Sequence, residues 1–272
     1  MSYDRDDLPL DYYPCRYGAS RIAFRGPRVE LKQPYTVVLG GSEVYGKHVE
    51  DPFCDRVAEL TRRRIVNLGV HNGGLDVFAR DDALHPVIAG AETVVLQAMG
   101  AANLSNRFYT VHPRRNDRFL RHSVLMETLF HEVDFSDFAF TRHMLTTLRL
   151  CSPQRFAVVT RELEEAWIAR MRLLLSRIPG QKILLWIEDA SGDDLAAAPC
   201  FVSVDMMQKL TPMVDKLVHC DVTDDMAGRR LDGLLYAEEE EAAALAAFPS
   251  AAHERVGVAL AKALGWRGQV AA

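Results

Sequence analysis

Five short apolar runs, at about 35–40, 64–68, 92–98, 182–188 and 216–222, alternate along this chain with stretches of helical spacing. That alternation restricts the fold more than any other feature. A run that is apolar at nearly every position must be covered on both faces, and a parallel sheet between two helix layers provides that cover. Helical spacing is expected at about 52–63, 117–132, 136–149, 153–178, 204–215 and 251–264. In the longest of these, Pro153 suits a first helical position, and Phe156, Val159, Leu163, Trp167, Ile168, Met171 and Leu174 make a stripe read as core or subunit contact.

Residues 1–34 carry no sustained period, yet Tyr12, Tyr13, Tyr17, Ile22 and Phe24 need a surface to pack on, so an ordered arm against the main domain is expected. The 272 residues are 49% hydrophobic and 25% charged, enough for one substantial core. A net charge of -5 and a pI near 6.0 argue against a general nucleic-acid binder. The opening Met1–Asp7 is polar and acidic rather than signal-like, and no apolar run reaches membrane-spanning length; a cytoplasmic protein with no membrane partner is expected. Cys15, Cys54, Cys151, Cys200 and Cys220 are scattered and odd in number, and are read as free thiols. His122, His131 and His143 lack ligand spacing, so no metal and no cofactor is expected, and the absence of Gly-x-x-x-x-Gly-Lys-Ser/Thr argues against a phosphate-loop transferase.

In an open parallel sheet the loops after successive strands meet at one edge. Here those loops are Gly40-Gly41-Ser42, Asn67-Leu68-Gly69-Val70-His71-Asn72-Gly73-Gly74 and Gly100-Ala101-Ala102-Asn103. Together they offer a hydroxyl, backbone N–H groups in a glycine-rich turn and a side-chain amide, the parts an acyl-transfer site requires. A plain strand-to-turn capping role for Ser42 is the alternative reading.

The run Gly40-Gly41-Ser42-Glu43-Val44-Tyr45-Gly46, then Glu50-Asp51-Pro52-Phe53, a helix and Ile65-Val66-Asn67-Leu68-Gly69-Val70, resembles the opening of the SGNH or GDSL hydrolase superfamily. The likeness covers residues 35–105 and, more weakly, the final helix. The whole chain, with Asp11-Tyr12-Tyr13-Pro14-Cys15-Arg16-Tyr17-Gly18 and Ser105-Asn106-Arg107-Phe108-Tyr109, also resembles an uncharacterised bacterial family that names no activity. The superfamily likeness implies a flavodoxin-like, three-layer α/β sandwich with a five-stranded, mostly parallel sheet. The main domain would run from 35 to 272, with a helical insertion at about 113–178. It implies Ser42 as nucleophile, oxyanion donors from the backbone of Ser42 and of Asn72 or Gly73, and Asn103 as the amide donor, with Asn106 its competitor.

The superfamily carries Asp-x-x-His before its last helix, the histidine serving as base. This chain reads Phe248-Pro249-Ser250-Ala251-Ala252-His253. Placing His253 on the base puts Ser250 at the aspartate; aligning on the proline puts Phe248 at the histidine. Asp221 and the run Glu238–Glu241 are other carboxylates that could orient a base, and a solvated helix start is the plainer reading of the run.

His112, Arg114 and Arg115 form a basic loop near the third strand's exit, a candidate anion site unless its arginines pair with Asp117 and neighbouring acids. The expected activity is therefore a serine-dependent ester hydrolase or acyltransferase acting on O-acyl groups of a saccharide or small metabolite. The alternative is a catalytically impaired relative that binds an anionic ligand or protein partner. The arm and insertion offer surfaces for a homodimer.

Overall fold

The computed structural model describes residues 10–192, 195, 197–228 and 231–268. The acidic opening Met1–Asp7 lies outside the described residues. Five strands, β1 (Thr36–Gly40), β2 (Ile65–Gly69), β3 (Thr93–Gln97), β6 (Gln181–Glu188) and β7 (Lys216–Asp221), form one sheet in the order β2-β1-β3-β6-β7. Every pairing in it is parallel. Counted within the sheet this is the 2-1-3-4-5 order of flavodoxin-like folds, with ligands expected at the carboxyl ends of the strands.

Period-two alternation sorts each strand's residues between two cores. Val37, Leu39, Val94 and Leu96 face one core, which includes Trp167, Met171 and Leu175 of the long helix α7 (Pro153–Ser176). Val38, Val95, Ile183 and Leu185 face the other, with Phe53 and Val57 of α2 (Phe53–Thr61) and Val256 and Leu260 of α11 (Ser250–Ala263). The remaining helices are short: α1 (Ser42–Tyr45), α3 (Leu75–Arg80), α4 (His85–Ala89), α5 (Val124–Leu129), α6 (Thr141–Cys151), α8 (Val204–Gln208), α9 (Thr223–Ala227) and α10 (Glu241–Leu245).

Residues 10–34 lie across the domain. Tyr17, Ile22 and Phe24 join the first core. Ser20 Oγ donates to Asp81 at 2.6 Å, and the buried Arg25 donates to the carbonyls of Gly46 and Glu50.

The excursion between β3 and β6 departs from the sequence expectation. A continuous helix over 117–132 does not form. Phe119–His122 is instead strand β5, antiparallel to β4 (Tyr109–Val111), and α5 starts only at Val124, where Ser123 Oγ accepts the Met126 N–H. Two long-range contacts outweigh the local spacing. Phe119 is buried beside Tyr109 and Phe135, and the fully buried Asn116 anchors the preceding loop by accepting the Gly74 N–H at 2.8 Å. The helix expected over 136–149 begins at Thr141, because Thr141 N–H donates to the Asp117 carbonyl and Phe140 bridges to Arg118. The helix expected over 204–215 ends at Gln208, with a separate 3₁₀ turn at Thr211–Met213 containing Pro212, whose ring cannot continue an α-helix.

Candidate functional site

At the carboxyl edge of β1, β3 and β6 lies a cavity of about 370 Å³. Ser42 is the first residue of α1, so its own N–H has no intrahelical acceptor. Its Oγ accepts the Asn72 N–H at 3.0 Å. The turn that presents this donor is closed by Gly73 N–H on the Val70 carbonyl at 2.8 Å, with Asn72 at φ 57°, a left-handed conformation that asparagine tolerates better than most residues. The turn can approach because Gly69 has no side chain: a Cβ there would lie 2.2 Å from the Tyr45 backbone nitrogen.

Asn103 lines the same cavity. Its Oδ1 accepts from Thr141 Oγ1 at 2.7 Å, which leaves the Nδ2 hydrogens as donors. Asn106 is engaged locally, its Oδ1 accepting the N–H groups of Phe108 and Tyr109. The structure thus brings together Ser42, Asn72, Gly73 and Asn103 on one cavity wall.

His253 is not among the cavity's lining residues. It stands on the first turn of α11, 2% exposed, with Nδ1 accepting the Phe53 N–H at 3.1 Å and its ring against Phe53 and Phe248. Burial, with the Arg25 charge adding to it, pushes its pKa down to about 3, so the ring is neutral. Phe248, at the position reached by aligning on the proline, lines the Ser42 cavity. Asp221 is exposed and accepts the Thr223 N–H, while Glu240 pairs with Lys47 at 2.8 Å. Neither Asp221 nor the Glu238–Glu241 run lines the cavity.

The basic loop is likewise absent from the lining. His112 Nδ1 accepts the N–H groups of Arg114 and Arg115, and Arg115 makes a two-point contact with Asp117 at 3.0 and 3.2 Å. The plainer pairing with Asp117 is the one the fold adopts.

Besides Thr141, four charged or amide residues line the cavity among the described residues that sequence reading did not single out as site residues. Glu43 accepts from Gln97 Nε2 at 3.0 Å, and Gln97 Oε1 in turn accepts the Gly41 N–H at 2.9 Å, a brace that fixes the serine turn. The signal for it was a lone glutamine closing an otherwise apolar strand. Arg142, from the first turn of α6, and Asp189, just past β6, also line the cavity, and nothing local in the sequence brings them to Ser42. Among the described residues no histidine lines the cavity, and no group of three or more metal-ligating side chains occurs.

The fold and this wall define a three-layer α/β protein whose serine sits among oxyanion-type donors. The chain belongs to the family described as a domain of unknown function, DUF6473, whose model matches residues 1–267. No curated protein matches it. Among solved structures it is similar to a candidate lipolytic protein of the G-D-S-L family from Desulfitobacterium hafniense DCB-2, at 11% identity and a TM-score of 0.41, covering 85% of this chain and 99% of that one.

Proposed function

We propose that the Ser42 cavity recognises the acyl group of a small molecule, by a site of SGNH type that has lost its histidine base. The reading rests on one observation: Phe248 lines the Ser42 cavity, while His253 does not and its Nδ1 is already bonded to the Phe53 backbone. An acyl oxygen would accept from the Asn103 amide and from N–H groups of the Ser42 and Asn72 turns, a donor set suited to a carbonyl or carboxylate. Ser42 Oγ, with no histidine in the cavity lining to take its proton, remains a hydrogen-bonding partner rather than an efficient nucleophile.

The second reading, a serine-dependent ester hydrolase or acyltransferase acting on O-acyl saccharides or small metabolites, is favoured by the retained contact between Asn72 N–H and Ser42 Oγ. Covalent labelling with a fluorophosphonate, beside turnover of a short-chain aryl ester, separates the two. The expected result is no labelling and no turnover above the level of Ser42→Ala at any pH at which the chain is folded. Rapid labelling that vanishes in Ser42→Ala would establish the hydrolase instead.

A further inference from the structure

We infer that the ligand of the Ser42 cavity carries a protonated amine and that Asp189 is the residue that selects it. The inference deepens the acyl-binding reading above and rests on it. Asp189 is 4% exposed and lines the cavity. One carboxylate oxygen accepts the Ser191 N–H at 2.9 Å; among the described residues the other accepts no hydrogen bond and no cation pairs with the side chain. A carboxylate so far removed from water is costly unless a positive group completes it, and no described residue supplies one here.

A second carboxylate points to the same ligand chemistry. Glu43 also lines the cavity, and its hydrogen bond comes from the neutral amide of Gln97 rather than from a cation. The cationic side chain in the lining among the described residues is Arg142, which is exposed and forms no ion pair with either acid. Two carboxylates against one guanidinium leave the cavity negative, the more so at its buried end. An ammonium group there would form charge-assisted hydrogen bonds with Asp189, while the acyl oxygen of the same molecule meets Asn103 and the Ser42 turn. The ligand class is therefore an amine-bearing acyl compound, such as an aminoacyl ester or an O-acylated amino sugar with its amine free.

Titration calorimetry near neutral pH with a matched pair of probes tests this: β-alanine ethyl ester, which carries the ammonium, and its N-acetyl derivative, which does not. The wild type is expected to bind the amine probe roughly tenfold more tightly. Ser42→Ala should keep that preference, and Asp189→Asn should abolish it while retaining the acceptor for Ser191. Equal binding of the two probes by the wild type would overturn the amine inference and leave the acyl site standing. Persistence of the preference in Asp189→Asn would overturn the assignment to Asp189. Binding of neither probe would overturn the acyl-site reading and this inference with it. If Asp189→Asn does not fold, the matched pair on the wild type still decides whether the ligand is an amine.

Discussion

Two polar regions of the molecule differ in what surrounds their hydrogen-bonding groups. In the seam between α2 and α11, His253 is buried, its Nδ1 engaged by the Phe53 N–H and its Nε2 enclosed without a partner among the described residues, with Phe53 tilted against the ring and Phe248 edge-on to it. In the cavity at the strand ends, the Asn103 Nδ2, the N–H of Ser42 and one oxygen of Asp189 have no partner among the described residues. The seam is closed packing, whereas the cavity is open space. A histidine four residues into a terminal helix therefore says little about catalysis until its ring nitrogens are accounted for.

The largest test of this contrast is to return a base to the cavity. The double substitution Phe248→His with Leu245→Asp rebuilds Asp-x-x-His ahead of Pro249 on the segment that lines the Ser42 cavity. Fluorophosphonate labelling is expected to rise from background to a level that depends on Ser42, and labelling unaffected by the pair would show that Phe248 does not hold the base's place.

Next comes the seam itself. His253→Ala leaves a void beside two aromatic rings and strips the Phe53 N–H of its acceptor, so a loss of about 3 kcal/mol is expected in urea denaturation. The same ring predicts an acid dependence. Its folded pKa, about 3, lies below the usual 6.5, so the unfolded chain binds the proton first as pH falls. The stability tied to the neutral ring is complete above 6.5 and is lost progressively as pH drops toward 3. Urea midpoints measured across that window should fall less steeply in His253→Gln than in the wild type.

Asn116→Ala is expected to cost about 2 kcal/mol, because it leaves the Gly74 N–H and the His112 carbonyl without partners beside the oxyanion turn. Thermal melting reads the loss. Smallest of all, Arg115→Ala removes a half-exposed pair with Asp117 and should change stability by less than about 1 kcal/mol and probe binding not at all. A marked drop in binding would return the basic loop to the site.

How much of this was legible in the sequence depended on the range of the forces involved. All five sheet strands were readable to within a residue or two, because an apolar run such as Thr36-Val37-Val38-Leu39 declares its own burial. The convergence of Ser42, Asn72 and Asn103 was readable too, since strand order places those three loops on one edge. The β4–β5 hairpin was not, because Phe119 and Asn116 are held by partners distant in sequence that override a helix-like spacing. Nor was the choice between Phe248 and His253, which turns on which of two residues five apart faces inward at the start of α11. Arg142 and Asp189 lay beyond reach for a different reason, since each meets the cavity only once the sheet has closed.

The excursion between β3 and β6 has an evolutionary consequence. It leaves at the carboxyl end of one parallel strand and re-enters at the amino end of its neighbour, so its ends stand about 14 Å apart, roughly one strand length, however long it grows. Such an excursion is a cassette. The serine turn and its donors from β1 and β2 belong to the frame, whereas Asn103, Thr141 and Arg142 arrive with the cassette. Exchanging the part that carries these three residues would reline the cavity without refolding the sheet, provided that the replacement keeps the Asn116 bond to Gly74 and the α7 face over the sheet.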